Sequence, residues 1–537
     1  MFDCSFFCRG IWMEWQDREE LEHLEKKRKQ WKQDMWQRVQ TIWNRLVHLH
    51  RRGNQKFSGR WSDGQFVFIS LSVVFLVIIL MLWLPRYLGM ANDGSITRTM
   101  QNAGLLYREV DEKNANDYFT RIYQLRFSAT EDHSFQLVLI GLAKWLDNLF
   151  TGDAFFNVQF LSIIYVLLAL PAWALLEYSV VSRVSAFVEK CVLCVLCTLV
   201  LADVSYLTYF NSLYPEAIYV IALCYLMGGC MMLQKRSRFG ALYWLAILAG
   251  TVMLCMTRQH CFIIGFMVAF YCISQLRIAE RNIERTGIAL VAVITLVAAF
   301  GSLVFIENDF DDTSKVHAMT RGVLLQSNQP SKTVHGFDMD ESYALLADVS
   351  LYEKYALTEE EEYYLQHGFL DHYTTADIVL YYVRHPSSML SMLDLGARSA
   401  MNLRREYCGN YENTAGMPAQ GKSIFFAMYS IFKSRSFPHT IAFLFLLEIV
   451  CAVMSKKGWW TRKEADRFYY VYFCTTLLAF GIPLFHLAEI ICRSGDAQMV
   501  QYNFIAGFSI DCLILFTMSE LLHRLNILEE SRGGTNE

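Results

Sequence analysis

The chain has 537 residues, 54% of them hydrophobic and 15% aromatic, and a formal net charge of −4. Uncharged runs near the length of a bilayer recur along it, which excludes a soluble globular protein. The slightly negative charge implies no nucleic-acid partner. The expected fold class is an all-α polytopic membrane protein. Most of the fifteen cysteines lie in apolar runs, where Cys behaves as a small hydrophobe. Cys191, Cys194 and Cys197 have the spacing of metal ligands. No His or second Cys pair accompanies them, so they read as packing residues. No disulfide framework follows.

Residues 1–65 hold thirteen Lys and Arg, densest at Lys26-Lys27-Arg28-Lys29. Trp31, Met35, Val39, Ile42, Trp43 and Leu46 recur at helical spacing, which predicts a basic amphipathic helix on the cytoplasmic membrane face. The segment is too long and charged for a cleavable signal, and its basic excess places the N-terminus inside. Phe66 to Leu84 carries no charge and is long enough to span, and Pro85 and Arg86 end it. Residues 85–154 form a first exterior loop. In it, Ser134 to Phe150 is apolar but holds Lys144 and Asp147, and reads as an interfacial or re-entrant helix.

Further runs near 155–176, 187–207, 217–233, 240–256, 261–276, 287–306, 437–454, 468–487 and 499–521 bring the expected spans to ten. That count puts the basic loops at Lys235 to Arg238, Arg277 to Arg285 and Lys456 to Arg467 on the cytoplasmic side, as the positive-inside rule asks. The expected organisation is a transmembrane catalytic core at 66–306 (spans 1–7), an exterior loop domain at 307–436 and spans 8–10 at 437–521. A tail at 522–537 follows, so both termini are cytoplasmic.

The same parity gathers polar motifs on the exterior face. Asn92-Asp93-Gly94 follows the first span. It reads as a turn on its own, but Asp93 held at the surface could accept a proton from an incoming hydroxyl. Tyr209-Phe210-Asn211-Ser212 and Glu216 fill a loop between two spans. The aromatics suit an interfacial belt, whereas Asn211 and Glu216 are costly there without a role. Arg258 sits at a tight joint with Gln259 and His260, where a guanidinium fork could clamp a phosphate. Arg404-Arg405, followed by Asn410 and Glu412, suits lipid phosphate as well. The chain lacks a P-loop and a Gly-rich dinucleotide fingerprint, which disfavours a nucleotide-activated donor.

Through Asn92-Asp93-Gly94, Tyr209 to Ser212 with Glu216, Arg258-Gln259, His385-Pro386 and Gly409-Asn410-Tyr411-Glu412, the chain resembles bacterial integral-membrane glycosyltransferases of the GT-C superfamily, most closely the WsfD-like glycan hexosyltransferases. The resemblance implies a polyprenyl-phosphate sugar donor, a cell-surface glycan acceptor and location in the bacterial cytoplasmic membrane. It implies that Asp93 is the catalytic base or binds a divalent metal beside it. Relatives often carry a second acid where Asn92 stands. Arg258 is the carried-over phosphate clamp, with Arg404 or Arg405 and Gln259 beside it. Asn92, Tyr209, Asn211, Glu216, His260, Asn410 and Glu412 are the expected substrate contacts. The alternative is a transporter or flippase of lipid-linked glycans, which would place charged residues deep within spans. A scaffold for other envelope enzymes would rest on the N-terminal helix alone.

Overall fold

The computed structural model describes residues 52–57, 59–126, 132–235, 240–308, 310–350, 365–405, 408–458, 467–497 and 499–533, with single positions at 35, 41 and 50. Most of the predicted N-terminal amphipathic helix lies outside the described residues, as do Arg236 to Arg238, Glu359 to Glu362, Arg462 and Lys463.

The chain divides into two compact units, one of residues 1–62 with 186–189 and one of the remainder. In the smaller unit Phe57 stacks on Phe187, with ring centroids 4.9 Å apart, and His50 Nε2 lies 2.7 Å from a Glu189 carboxylate oxygen.

The larger unit is helical. Its main elements are α1 (Asp63–Ile78), α2 (Phe135–Phe150), α3 (Val158–Val181), α4 (Phe187–Leu201, whose residues from Lys190 onward belong to this unit), α5 (Glu216–Met232), α6 (Gly240–Cys255), α7 (Phe262–Gln275) and α8 (Asn282–Phe305). After these come α9 (Thr375–Arg384), α10 (Pro386–Met401), α11 (Met428–Ser436), α12 (Ile441–Met454), α13 (Arg467–Ser494) and α14 (Phe504–Gly533). Each predicted apolar run coincides with one of these helices. Among the described residues, five helices are long and apolar enough to cross a membrane: Asp63–Trp83, Val158–Val181, Asn282–Phe305, Arg467–Ser494 and Phe504–Leu525. Two bent pairs bring the number to seven, one built on α4 and one that turns by 103° between α11 and α12. Three shorter apolar helices contain α5, α6 and α7.

Apolar side chains stay exposed on the outer helices. Phe68 and Leu76 on α1, and Leu290, Val293, Val297 and Val304 on α8, are more than half uncovered. A water-facing helix would carry polar groups there, whereas hydrocarbon asks only that backbone bonds be closed within the helix. At the centre stands α5, where every residue except Tyr225 is buried. It packs against α3 and α6. Gly250 lets α6 approach it, because a Cβ there would overlap the Ala222 carbonyl oxygen. Small residues at such crossings are how helices pack closely in lipid.

The segment after α1 also holds a three-stranded antiparallel sheet, ordered β1 (Leu105–Leu106), β2 (Ile122–Leu125) and β3 (Phe155–Asn157). Leu105 pairs with Leu125, and Tyr123 with Phe156. The α2 helix lies between β2 and β3. Val138, Leu142, Trp145 and Leu149 form an exposed apolar stripe on it, while Gln136, Ile140, Ala143 and Asp147 face inward.

Deep among the helices, Lys433 of α11 and Asp511 of α14 are fully buried and paired at 2.5 Å. Lys433 also donates to the Gly507 carbonyl at 2.8 Å, and the Tyr429 and Tyr206 hydroxyls donate to Asp511. A buried pair of this kind persists only when its remaining polar atoms are matched, as they are here.

Gly250→Ala should lower the melting temperature of the detergent-purified protein by several degrees, since overpacking costs about 1–3 kcal/mol. Gly240→Ala is the control, because a Cβ there meets nothing within 4 Å. Equal melting of the two variants would show that the α5–α6 contact is not tight.

Candidate functional site

The loop after α1 is shaped before it reaches Asp93. Helix α1 ends in a π-turn, Ile79–Trp83. The Asn211 amide donates to the Leu82 and Leu88 carbonyls, both at 2.9 Å, and so fixes the chain leaving that turn. Residues 88–91 then run beside 409–411. Leu88 bridges Tyr411, the Gly89 N–H donates to the Asn410 carbonyl, and the Ala91 N–H donates to the Gly409 carbonyl. The Asn410 amide adds a bond to the Gly89 carbonyl at 3.1 Å. This ladder brings two segments more than three hundred residues apart in sequence side by side.

At its end Asn92 makes an Asx turn, its Oδ1 accepting the Gly94 N–H at 2.8 Å. Gly94 takes φ +97°, where a side chain would be strained. The Asn92 amide donates to the Tyr107 hydroxyl at 2.8 Å. The Asp93 carboxylate is thereby aimed back at the protein. Its Oδ1 accepts the Ser95 hydroxyl at 2.5 Å and the Ser95 N–H at 3.0 Å. The Tyr214 hydroxyl lies 2.9 Å from the same oxygen and 2.9 Å from the Ala91 carbonyl, so its single proton is shared between them. That hydroxyl in turn accepts the Asp93 N–H.

Arg405 is the centre of the cluster. One guanidinium nitrogen is ion-paired to Asp93 Oδ2, and the other donates to Glu216 Oε1 at 2.5 Å. Arg405 and Glu216 are both buried, and the Asp93 side chain is 27% exposed. The guanidinium also lies 4.8 Å from the Tyr214 ring and 5.8 Å from the Tyr209 ring. Burial pushes the Asp93 carboxyl up, but Arg405, Ser95 and Tyr214 outweigh it and hold the group below its ordinary value of 3.8. Burial, with Asp93's charge adding and Asn92 opposing, pushes Tyr107 up to about 12. At neutral pH the site therefore has an ionised carboxylate beside protonated tyrosines. The carboxylate is the one group able to take a proton while staying open to solvent.

The other expected residues are placed as follows. The Arg258 guanidinium donates to Thr99 Oγ1 at 3.1 Å, on the short helix that follows Asp93. It lines a cleft of about 10 Å³ with Arg98, Asp132, Ser134 and Glu307, which has room for one water. The Gln259 amide points to the Ile306 carbonyl at 3.4 Å. His260 is buried among the rings of Tyr219, Phe310, His486 and Tyr502. Arg404 donates to the Ser423 carbonyl. Glu412 accepts Arg121 at 2.5 Å. Tyr209 is buried against Tyr214 and Phe504. The structure thus joins Asn92, Asp93, Tyr209, Glu216 and Arg405 in one cluster, with Asn211 and Asn410 holding its backbone. It sets Arg258 and Gln259 nearby, across Thr99. Tyr214, Ser95 and Tyr107 were not singled out from the sequence. Only Tyr214, two residues before Glu216, stood within a marked motif.

A divalent metal does not fit this donor set. Arg405 already bridges the two carboxylates a metal would use, and the described residues hold no group of three acidic, His or Cys ligands.

Arg405→Ala should destabilise the protein by about 3–5 kcal/mol, because two carboxylates lose their counter-charge. Asp93's share of that stability is full above its ordinary pKa of 3.8 and is lost only as pH falls through the lowered value. Unfolding curves for wild type and variant should stay apart from pH 8 to 5. Convergence already at pH 6 would mean that Asp93 is not held low.

The profile of the family described as YfdI N-terminal transmembrane domain matches residues 56–537. No curated protein matches the sequence. Among solved structures, the archaeal oligosaccharyltransferase AglB from Archaeoglobus fulgidus, in complex with an inhibitory peptide and a dolichol-phosphate, is similar at 12% identity and a TM-score of 0.37. The match covers 88% of this chain and 52% of that one, so the chain spans about half of its length. A superposition at that score does not fix a shared fold.

Proposed function

The chain belongs to the YfdI N-terminal transmembrane domain family, which makes it a multi-pass membrane protein, and we propose that it is a glycosyltransferase using a lipid-phosphate sugar. In this reading a hexose passes from a polyprenyl-phosphate carrier to a cell-surface glycan, on the exterior face of the bacterial membrane. Ten spans and cytoplasmic termini give the topology that puts Asp93 on that face. The observation that carries the reading is Asp93 itself, a partly open carboxylate on the loop that follows a span. It is fixed by Ser95 and Tyr214 and ionised by Arg405.

An acceptor hydroxyl would lie against Asp93. Its oxygen attacks the anomeric carbon as the carbon–oxygen bond to phosphate breaks. The proton goes to the Asp93 carboxylate, and the electron pair leaves with the polyprenyl phosphate. Arg258 would hold that phosphate and offset the charge it gains. The cleft admits one water as it stands, so the phosphate enters when the Arg98–Glu307 pair at its wall parts. Both partners of that pair are more than one-third exposed, so the separation costs little. Arg405 stays with Asp93 and Glu216 as the positioning residue. The grooves between apolar helices would take the lipid tail.

One observation favours the transporter reading. Glu177 of α3 and Glu448 of α12 are carboxylates buried within helices, where charge is rare without a role. The two readings part in a transfer assay with labelled hexose on polyprenyl phosphate and detergent-purified protein. Asp93→Asn should slow transfer by about 10²–10⁴-fold, the usual worth of a general base. Arg258→Ala should cost as much, and Arg258→Lys less, since Lys keeps the charge and loses the fork. Purified protein that transfers nothing, yet moves the lipid-linked sugar across vesicles, would establish the transporter instead.

A further inference from the structure

A second cavity, sharing no residue with the Asp93 cluster, lies between the turns near 326–337 and helices α9 and α10. Its volume is about 630 Å³, within the about 300–1,000 Å³ usual for small-molecule sites. One wall is aromatic. The Tyr381 ring stacks on His385 with centroids 4.3 Å apart at 27°, and Phe337 lies 6.3 Å from Tyr381. The His385 Nδ1 lies 2.9 Å from the Tyr381 carbonyl oxygen, which holds that stack in place. Around the wall stand Gln326, Lys332 and Arg384. Among the described residues no protein group engages the side chains of Lys332 or Arg384. Asp377 also lines the cavity. One of its oxygens caps α9 by accepting from Thr374, and the other makes no bond to a described residue.

A sugar ring presents carbon-bound hydrogens on its faces and hydroxyls on its rim. The faces need a flat apolar surface, and the hydroxyls need both donors and acceptors. Tyr381 and Phe337 supply the surface. Lys332 and Arg384 supply donors, Gln326 supplies both, and the outer Asp377 oxygen accepts. A lipid phosphate would use the two cations but would gain nothing from the rings and would be repelled by Asp377. We propose that this cavity binds a stretch of oligosaccharide, and, resting on the transfer reading above, that this is the acceptor glycan held beyond the sugar being modified.

The test uses the full-length protein in detergent on an array of neutral and acidic bacterial surface oligosaccharides. Wild type should retain a subset of them. Tyr381→Phe keeps the ring and should retain the same subset. Tyr381→Ala should lose about tenfold in affinity, the scale of one aromatic contact. Arg384→Ala, at an exposed side chain, should weaken binding without changing the melting temperature, so it carries the test if Tyr381→Ala fails to fold. The proposal is overturned if wild type retains no oligosaccharide or if both alanine variants bind as well as wild type. It is also overturned if the cavity variants lose phosphatidylglycerol vesicles instead of glycans. Binding does not require transfer. Normal transfer by Asp93→Asn, with glycan lost in Tyr381→Ala, would therefore sink the catalytic assignment and leave this site standing.

Discussion

The Arg405 guanidinium between Asp93 and Glu216 is the interaction on which the polar side of the molecule depends. Two carboxylates this close repel and would each seek a proton once dehydrated. A single buried cation offsets part of these penalties at each carboxylate, and its planar fork fixes the angle at which each carboxylate meets it. Glu216 is the first residue of helix α5, buried along its length except at Tyr225, so the cation is tied to the packed centre of the bundle. Asp93 inherits that position through Arg405 and Tyr214, although it sits on a loop.

Such an arrangement commits Arg405 to its two carboxylates. A guanidinium already shared by two carboxylates has few donors left for a phosphate. Arg258, held to the neighbouring helix through Thr99, stands in a different cleft, which is why the proposed reading gives it the phosphate. In the sequence both arginines sit beside apolar stretches and both suit phosphate chemistry, so the pairing of Arg405 with two carboxylates was not legible there.

How much was legible differs by feature. Helix positions followed from uncharged runs, because a chain in hydrocarbon must close its own backbone bonds. The lengths of α5, α6 and α7 were harder to read, since short apolar helices buried on all sides and true spans share a composition. The strand pairs near Leu105 and Phe156 were invisible, being only a few residues long and set by partners distant in sequence. The ladder of residues 88–91 with 409–411 was equally hidden. Glu216 stood out as a costly polar residue near a membrane and Asp93 as a turn carboxylate able to take a proton, but their pairing with one Arg405 is a tertiary fact. His260 was read as an exposed donor beside Arg258, and its place among buried rings shows that an imidazole at a tight joint is equally at home in aromatic packing.

The Lys433–Asp511 pair has a meaning for biogenesis. Lys433 lies on α11, before the sharp bend into α12, while Asp511 lies on α14, 78 residues later in the chain. Until α14 leaves the ribosome, Lys433 has no counter-ion and no reason to leave water. Seating α11 among the helices therefore depends on Asp511, because a docked Lys433 without it would be a buried charge with no partner.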